Sequence, residues 1–125
     1  MHYKEEVIKM EAKFKLGDYV KVDWTNSILK IRRFDENDEN SDFCWFDKNC
    51  GSIWYHCDAA DFDPYSSSYY CNTPESSIIR MAAEKEFYLE RKESLEYEIE
   101  RHKKAIKSFE DDIKEIEEYI KSEGL

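Results

Sequence analysis

The chain has 125 residues, 38% of them charged and 15% aromatic, with a formal net charge of −10. That length allows one small domain plus an extended element and not two full domains, and the acidity argues against a protein that grips nucleic acid by its phosphates. No apolar run reaches the length of a membrane span and nothing resembles a secretory leader, so the expected home is the cytoplasm, without membrane contact.

Residues 1–16 fit two patterns. Tyr3, Val7, Met10 and Phe14 have helical spacing, whereas Ile8, Met10, Ala12, Phe14 and Leu16 alternate with charged residues as a strand would. The five alternating members favour a strand from about Ala12, and residues 1–13 stay open between strand and helix. Gly17-Asp18 signals a turn. Val20, Val22 and Trp24 alternate with Lys21 and Asp23 as the next strand, Thr25-Asn26-Ser27 breaks it, and the apolar, basic stretch 28–34 resumes.

The run Phe14-Lys15-Leu16-Gly17-Asp18-Tyr19-Val20-Lys21-Val22 resembles the opening strand and turn of SH3-like barrels of the KOW and Tudor type. The resemblance covers nine residues and implies a small barrel. Domains of that kind bind peptides, modified side chains or nucleic acid.

Residues 35–42 (Asp-Glu-Asn-Asp-Glu-Asn-Ser-Asp) form a polar acidic loop. Two short aromatic strands, 43–47 and 52–57, follow around Lys48-Asn49-Cys50-Gly51, whose Asn and Gly suit a hairpin. Residues 58–73 read as a long connection, and a connection of that length in a small protein is more often functional than filler.

Residues 74–123 contain no Gly or Pro after Pro74 and read as one helix of roughly 75 Å at 1.5 Å per residue. Thr73 would be its N-cap, Pro74 its first residue and Gly124 its C-terminal cap. Its distal half carries a heptad: Ile99, Ile106, Ile113 and Ile120 at a, with Leu95, His102, Phe109 and Ile116 at d. These eight residues are the expected interface of a homodimer. In a parallel pair Arg91 would face Glu96 and Glu98 would face Lys103, both attractive, while Asp112 would face Glu117. Parallel pairing is therefore preferred, and antiparallel pairing stays open. His102 on this seam reads as a polar residue that sets register, ahead of a metal ligand or pH switch. The proximal half spreads Ile78, Ile79, Met81, Phe87, Tyr88 and Leu89 around most of the helix, as a docking site for the N-terminal region would. The expected fold class is α+β: a small antiparallel SH3-like sheet or barrel with acidic loops over 1–73, followed by one long C-terminal coiled-coil helix over 74–125.

No signature of an enzyme is present: no Gly-rich phosphate loop, no Gly-x-Ser-x-Gly and no His-Glu-x-x-His. Cys44, Cys50, Cys57 and Cys71 lack the close pairs that pre-form a zinc site, so structural thiols are favoured over zinc. His56 and Cys57, adjacent on a strand, should point to opposite faces and not touch. The loop 35–42 lacks the Gly and the bidentate Glu of a calcium loop. No cofactor and no metal is expected.

What remains is the middle of the chain. Residues 34–74 hold nine carboxylates and one Lys among many aromatics. Either the aromatics are the small core and the carboxylates keep it soluble, or this is an interaction surface. The second reading takes Asp35, Glu36, Asp38, Glu39, Asp42, Asp58, Asp61 and Asp63, with only Lys48 nearby, as a partner-facing field suited to a basic cleft. Small size, acidity, expected dimerisation and a Lys/Glu/Ile/Asn/Tyr-rich composition resemble phage- or plasmid-encoded inhibitors of host nucleases, including anti-CRISPR and DNA-mimic anti-restriction proteins. That resemblance implies a non-enzymatic protein whose partner handles nucleic acid. The alternative is an SH3-like peptide-binding adaptor or structural module anchored by its coiled coil.

Overall fold

The computed structural model describes residues 12–61 and 70–125. Among them are six strands and one long helix, an α+β chain. The strands are β1 (Tyr19–Val22), β2 (Ile28–Ile31), β3 (Cys44–Asp47), β4 (Ser52–Ala59), β5 (Tyr70–Pro74) and β6 (Ile78–Ala82), with a 3-10 turn (Glu75–Ser77) between the last two and α1 (Glu84–Glu123) after them.

All pairings are antiparallel. β1 lies between β2 and β6, β2 continues to β4, and β4 also pairs with β3 and β5. β4 is long enough to serve three neighbours, with β3 on its first half, β2 on its second and β5 across the middle. The three-residue 3-10 turn carries the chain from β5, at one margin of the sheet, to β6 at the other. So short a connection requires the sheet to curl toward itself.

Alternation decides which residues fill the interior. Val20 and Val22 of β1, Leu29 and Ile31 of β2, and Ile53, Tyr55 and Cys57 of β4 form the core. Phe14 packs edge-on against Tyr55 with ring centroids 5.7 Å apart. Residues 12–16 are not the expected strand. Ala12 and Phe14 do face the core, but the main chain bonds to side chains: Lys13 N–H donates to Glu75 Oε2 (3.2 Å) and Phe14 N–H to the Tyr55 hydroxyl (3.3 Å). The period-two pattern reported which side was buried; the ladder it normally accompanies is absent. The helix-or-strand question for residues 1–11 lies outside the described residues.

The turns match their chemistry. Gly17 adopts φ +90° in the turn before β1. In the β3–β4 hairpin Gly51 has φ +65° and donates its N–H to Asp47 O (2.8 Å), while Asp47 Oδ1 accepts from Asn49 N–H (2.8 Å).

The largest correction concerns the start of the helix. Residues 70–74 are strand, not the tail of a loop, and residues 78–82 are strand, not helix. Thr73 is not an N-cap; it is buried in β5, where its Oγ1 accepts from Trp24 Nε1 (2.9 Å). Pro74 stands at the end of β5, opposite Trp54. Ile78 and Ile79 are β-branched and suit the pleat, and β1 offers β6 an open edge with Val20 opposite Met81. The helix begins only at Glu84. Ala83 has no capping oxygen, but Glu86 three residues on accepts its N–H (2.6 Å) and also pairs with Arg80 (2.9 Å). The Arg80 guanidinium first, and the Ala83 N–H second, hold the Glu86 carboxyl below its ordinary range.

The first turns of α1 dock on the sheet through Phe87, while Ile79, Met81, Tyr88 and Leu89 of the expected docking surface stay about half exposed. Phe87 is 1% exposed, packed with Ile28 and Ala60 and against Tyr19, and Glu90 Oε1 accepts Ile28 N–H (2.7 Å). By compactness the chain divides into residues 1–94 and 95–125. In the second unit Leu95, Ile99, Ile106, Phe109, Ile113, Ile116 and Ile120 are all exposed, between 40% and 66%. His102 is half-buried, with Nε2 3.8 Å from Glu98 Oε2 one turn earlier. Among the described residues no helix is long and apolar enough to cross a membrane.

Candidate functional site

The face of β4 turned away from the core carries the site. Because Ile53, Tyr55 and Cys57 point inward, Trp54, His56 and Asp58 must point outward. Cross-strand pairing sets their neighbours: Trp45 of β3 opposite Trp54, and Asn72 and Tyr70 of β5 opposite His56 and Asp58. The result is a row of rings. Trp45 stacks on Trp54 with centroids 6.0 Å apart and on His56 at 4.5 Å, and Phe34, just beyond β2, lies 4.9 Å from His56.

His56 Nδ1 is 2.9 Å from Asn72 Oδ1. An amide oxygen can only accept, so Nδ1 is the donor in this pair, and in the uncharged ring the lone pair is then on Nε2. Burial, opposed by the Asn72 bond and reinforced by nearby Arg32, pulls the pKa of His56 below its ordinary 6.5. Burial thus favours the uncharged imidazole.

A second cluster sits beside this row. The Arg32 guanidinium lies over the Tyr70 ring at 3.9 Å and pairs with Glu36 (3.4 Å) and Asp58 (3.6 Å). Burial pushes Asp58 above its ordinary carboxylate value, and Arg32 partly offsets this. A cleft of about 420 Å³ opens here, walled by Arg32, Phe34, Glu36, His56, Tyr70 and Asn72 among others. A neighbouring cavity of about 270 Å³, shallow and open to solvent, is lined by Phe34, Ser41, Asp42, Cys44, Trp45 and His56.

The expected acidic surface is sorted by these contacts. Asp35, Glu36, Asp38, Glu39 and Asp42 all sit exposed on the loop between β2 and β3. Asp35 and Asp38 are not idle carboxylates: Asp35 Oδ1 accepts Asn37 N–H and Asp38 Oδ1 accepts Asn40 N–H, both at 2.9 Å, which shapes the loop as two successive Asx turns. Asp58 does not belong to an open field, since it is tied to Arg32 beneath the loop. Lys48 is not the only cation nearby, because Arg32 and Arg33 fold back into the loop, Arg33 Nη1 donating to Glu39 O. Asp61 is exposed and lines neither cavity, its N–H donating to Ser27 Oγ (3.3 Å). Asp63 lies outside the described residues.

Arg32, Phe34 and His56 join the site without belonging to the carboxylates or the aromatics expected of that surface. A signal for His56 was present, since placing Cys57 in the core forces His56 and Trp54 onto the opposite face. For Arg32 there is none, because its contact with Tyr70 depends on β5, a strand that the Ser/Tyr-rich sequence does not announce.

The thiols behave as core and turn residues. Cys44 and Cys57 are buried, and burial raises both, Cys44 to about 11. Cys71 faces Cys57 across β4 and β5, and Cys50, in the hairpin loop, accepts Trp54 Nε1 at 3.2 Å. Among the described residues no three His, Cys, Asp or Glu side chains converge on one centre. Comparison with protein-family models, with curated proteins and with solved structures finds no match to this chain.

Proposed function

We propose that this is a non-enzymatic, cytoplasmic, dimeric binding protein that docks into the basic cleft of a nucleic-acid-processing protein, in the manner of a mobile-element inhibitor of a host defence nuclease. The observation that carries the reading is the juxtaposition of a half-buried aromatic row, capped by the exposed Phe34, with the carboxylates of residues 35–42. Aromatic anchors inside a charged rim are the usual anatomy of a protein interface, and the sign of the rim favours a basic partner over nucleic acid or an anionic membrane. Four free thiols suit a reducing compartment. The apolar stripe of residues 95–120 supports pairing with a second copy.

The test is a triple reversal, Glu39→Lys with Asp42→Lys and Asp61→Lys, which leaves the two Asx turns and the Arg32 pairs intact. Wild-type protein should retain a nucleic-acid-binding protein from bacterial lysate, with capture weakening as salt rises from about 0.05 to 0.5 M. The triple variant should lose it while circular dichroism is unchanged. Capture of the same protein by the variant at wild-type affinity removes the acidic face from recognition.

A second reading, a peptide-binding adaptor or structural module, is favoured by one feature. Among the described residues β6 ends the strand order with β1 as its partner, and an exposed sheet edge can take an extended peptide as an added strand. Retention of a scaffold or virion component, insensitive to the charge reversal, would select it.

A further inference from the structure

We propose that the cavity between Phe34, Trp45 and His56, with Asp42 on its rim, is a subsite that takes an arginine side chain of the protein partner. The inference rests on the binding function proposed above and names the chemistry at its centre.

Position comes first. Phe34 N–H donates to Asp42 O (3.4 Å), closing the acidic loop at its root. That bond sets a ring and a carboxylate on either side of the loop's base, both lining a cavity of about 270 Å³. Phe34 is 71% exposed. An exposed phenyl ring at a loop root contributes little to folding. It is placed to cover something that arrives later.

The walls suit a flat cation. A guanidinium stacks on aromatic faces and also forms paired hydrogen bonds to a carboxylate, which an ammonium does less well. Phe34 supplies the open ring face, Trp45 and His56, stacked on each other, form the wall beside it, and Asp42 supplies the carboxylate. His56 does not oppose a cation, because burial favours its uncharged ring. An anionic ligand would meet Asp42 and the rest of the loop. The same chain already uses this mode next door, where Arg32 lies on the Tyr70 ring between Glu36 and Asp58. Arg32 is committed there and cannot fill the second cavity.

The probe is a hexa-arginine peptide, with hexa-citrulline as its neutral counterpart of similar shape. Binding to the intact protein is followed by tryptophan fluorescence and by the indole N–H resonances of Trp45 and Trp24. The wild type should bind the arginine peptide and not the citrulline one, with the Trp45 resonance shifting and that of Trp24 unmoved. Phe34→Ala with Asp42→Asn removes exposed groups only and should weaken binding about tenfold or more. Glu39→Lys with Asp61→Lys changes the field but not the cavity, and should weaken binding less, with the Trp45 shift retained. If the cavity variant binds as wild type does while the field variant fails, the subsite is wrong and the acidic-face reading stands. If wild-type protein binds neither peptide, both fail. An unmoved Trp45 resonance overturns the subsite even if a variant were to misfold.

Discussion

Replacing Ile106 and Ile113 by Asp should separate the chain into monomers. Both side chains are 55% exposed in the single chain, so burying each against a second copy would contribute roughly 1–1.5 kcal/mol. Two positions on two chains make four side chains, or about 5 kcal/mol of lost burial, before the cost of placing a carboxylate in an apolar seam. At 1.4 kcal/mol per decade the dimer dissociation constant should rise at least about a thousandfold. Charge pairing contributes less. Glu98 already pairs with Arg101 (3.3 Å) and Lys103 with Glu100 (3.4 Å) along the helix, and exchanging exposed pairs of this kind for interchain ones changes little. Sedimentation equilibrium should show twice the chain mass for wild type and one chain mass for the variant, at a common concentration of about 100 μM. Circular dichroism should show the helix present in both at that concentration. A wild-type monomer with an intact helix, or a double variant that stays dimeric, would refute the reasoning.

Phe87→Ala removes the buried ring that docks the start of α1 and should lower unfolding free energy by about 3–5 kcal/mol, read as a fall in the urea midpoint at unchanged slope. Stability should also fall as pH drops below about 7, because His56 binds a proton less readily folded than unfolded. For such a group the stabilisation is present above its ordinary 6.5 and is lost as pH falls from there through the lowered folded value. His56→Gln should flatten that slope in urea titrations between about pH 7 and 5; an unchanged slope would assign it to other groups.

Local chemistry made part of this protein legible from sequence alone. The turn at Gly17, the 48–51 hairpin, the Val-rich β1 and the strands flanking Gly51 all follow from residues a few positions apart. So does the heptad of 95–120, since a helical repeat is a property of spacing. The same rule that put His56 and Cys57 on opposite faces held. Three features depended on partners far away in the chain. Residues 78–82 are compatible with helix in isolation and become β6 because β1 presents an unpaired edge. Ala12 and Phe14 alternate like a strand, yet their neighbours' N–H groups go to Glu75 and Tyr55. The acidic middle looked uniform, and folding divided it, tying Asp58 and Glu36 to Arg32 while leaving Glu39 and Asp42 at the surface. Propensity and period act over one or two turns of chain, whereas strand pairing and ion pairing are settled by whichever groups the folded sheet brings within a few ångströms.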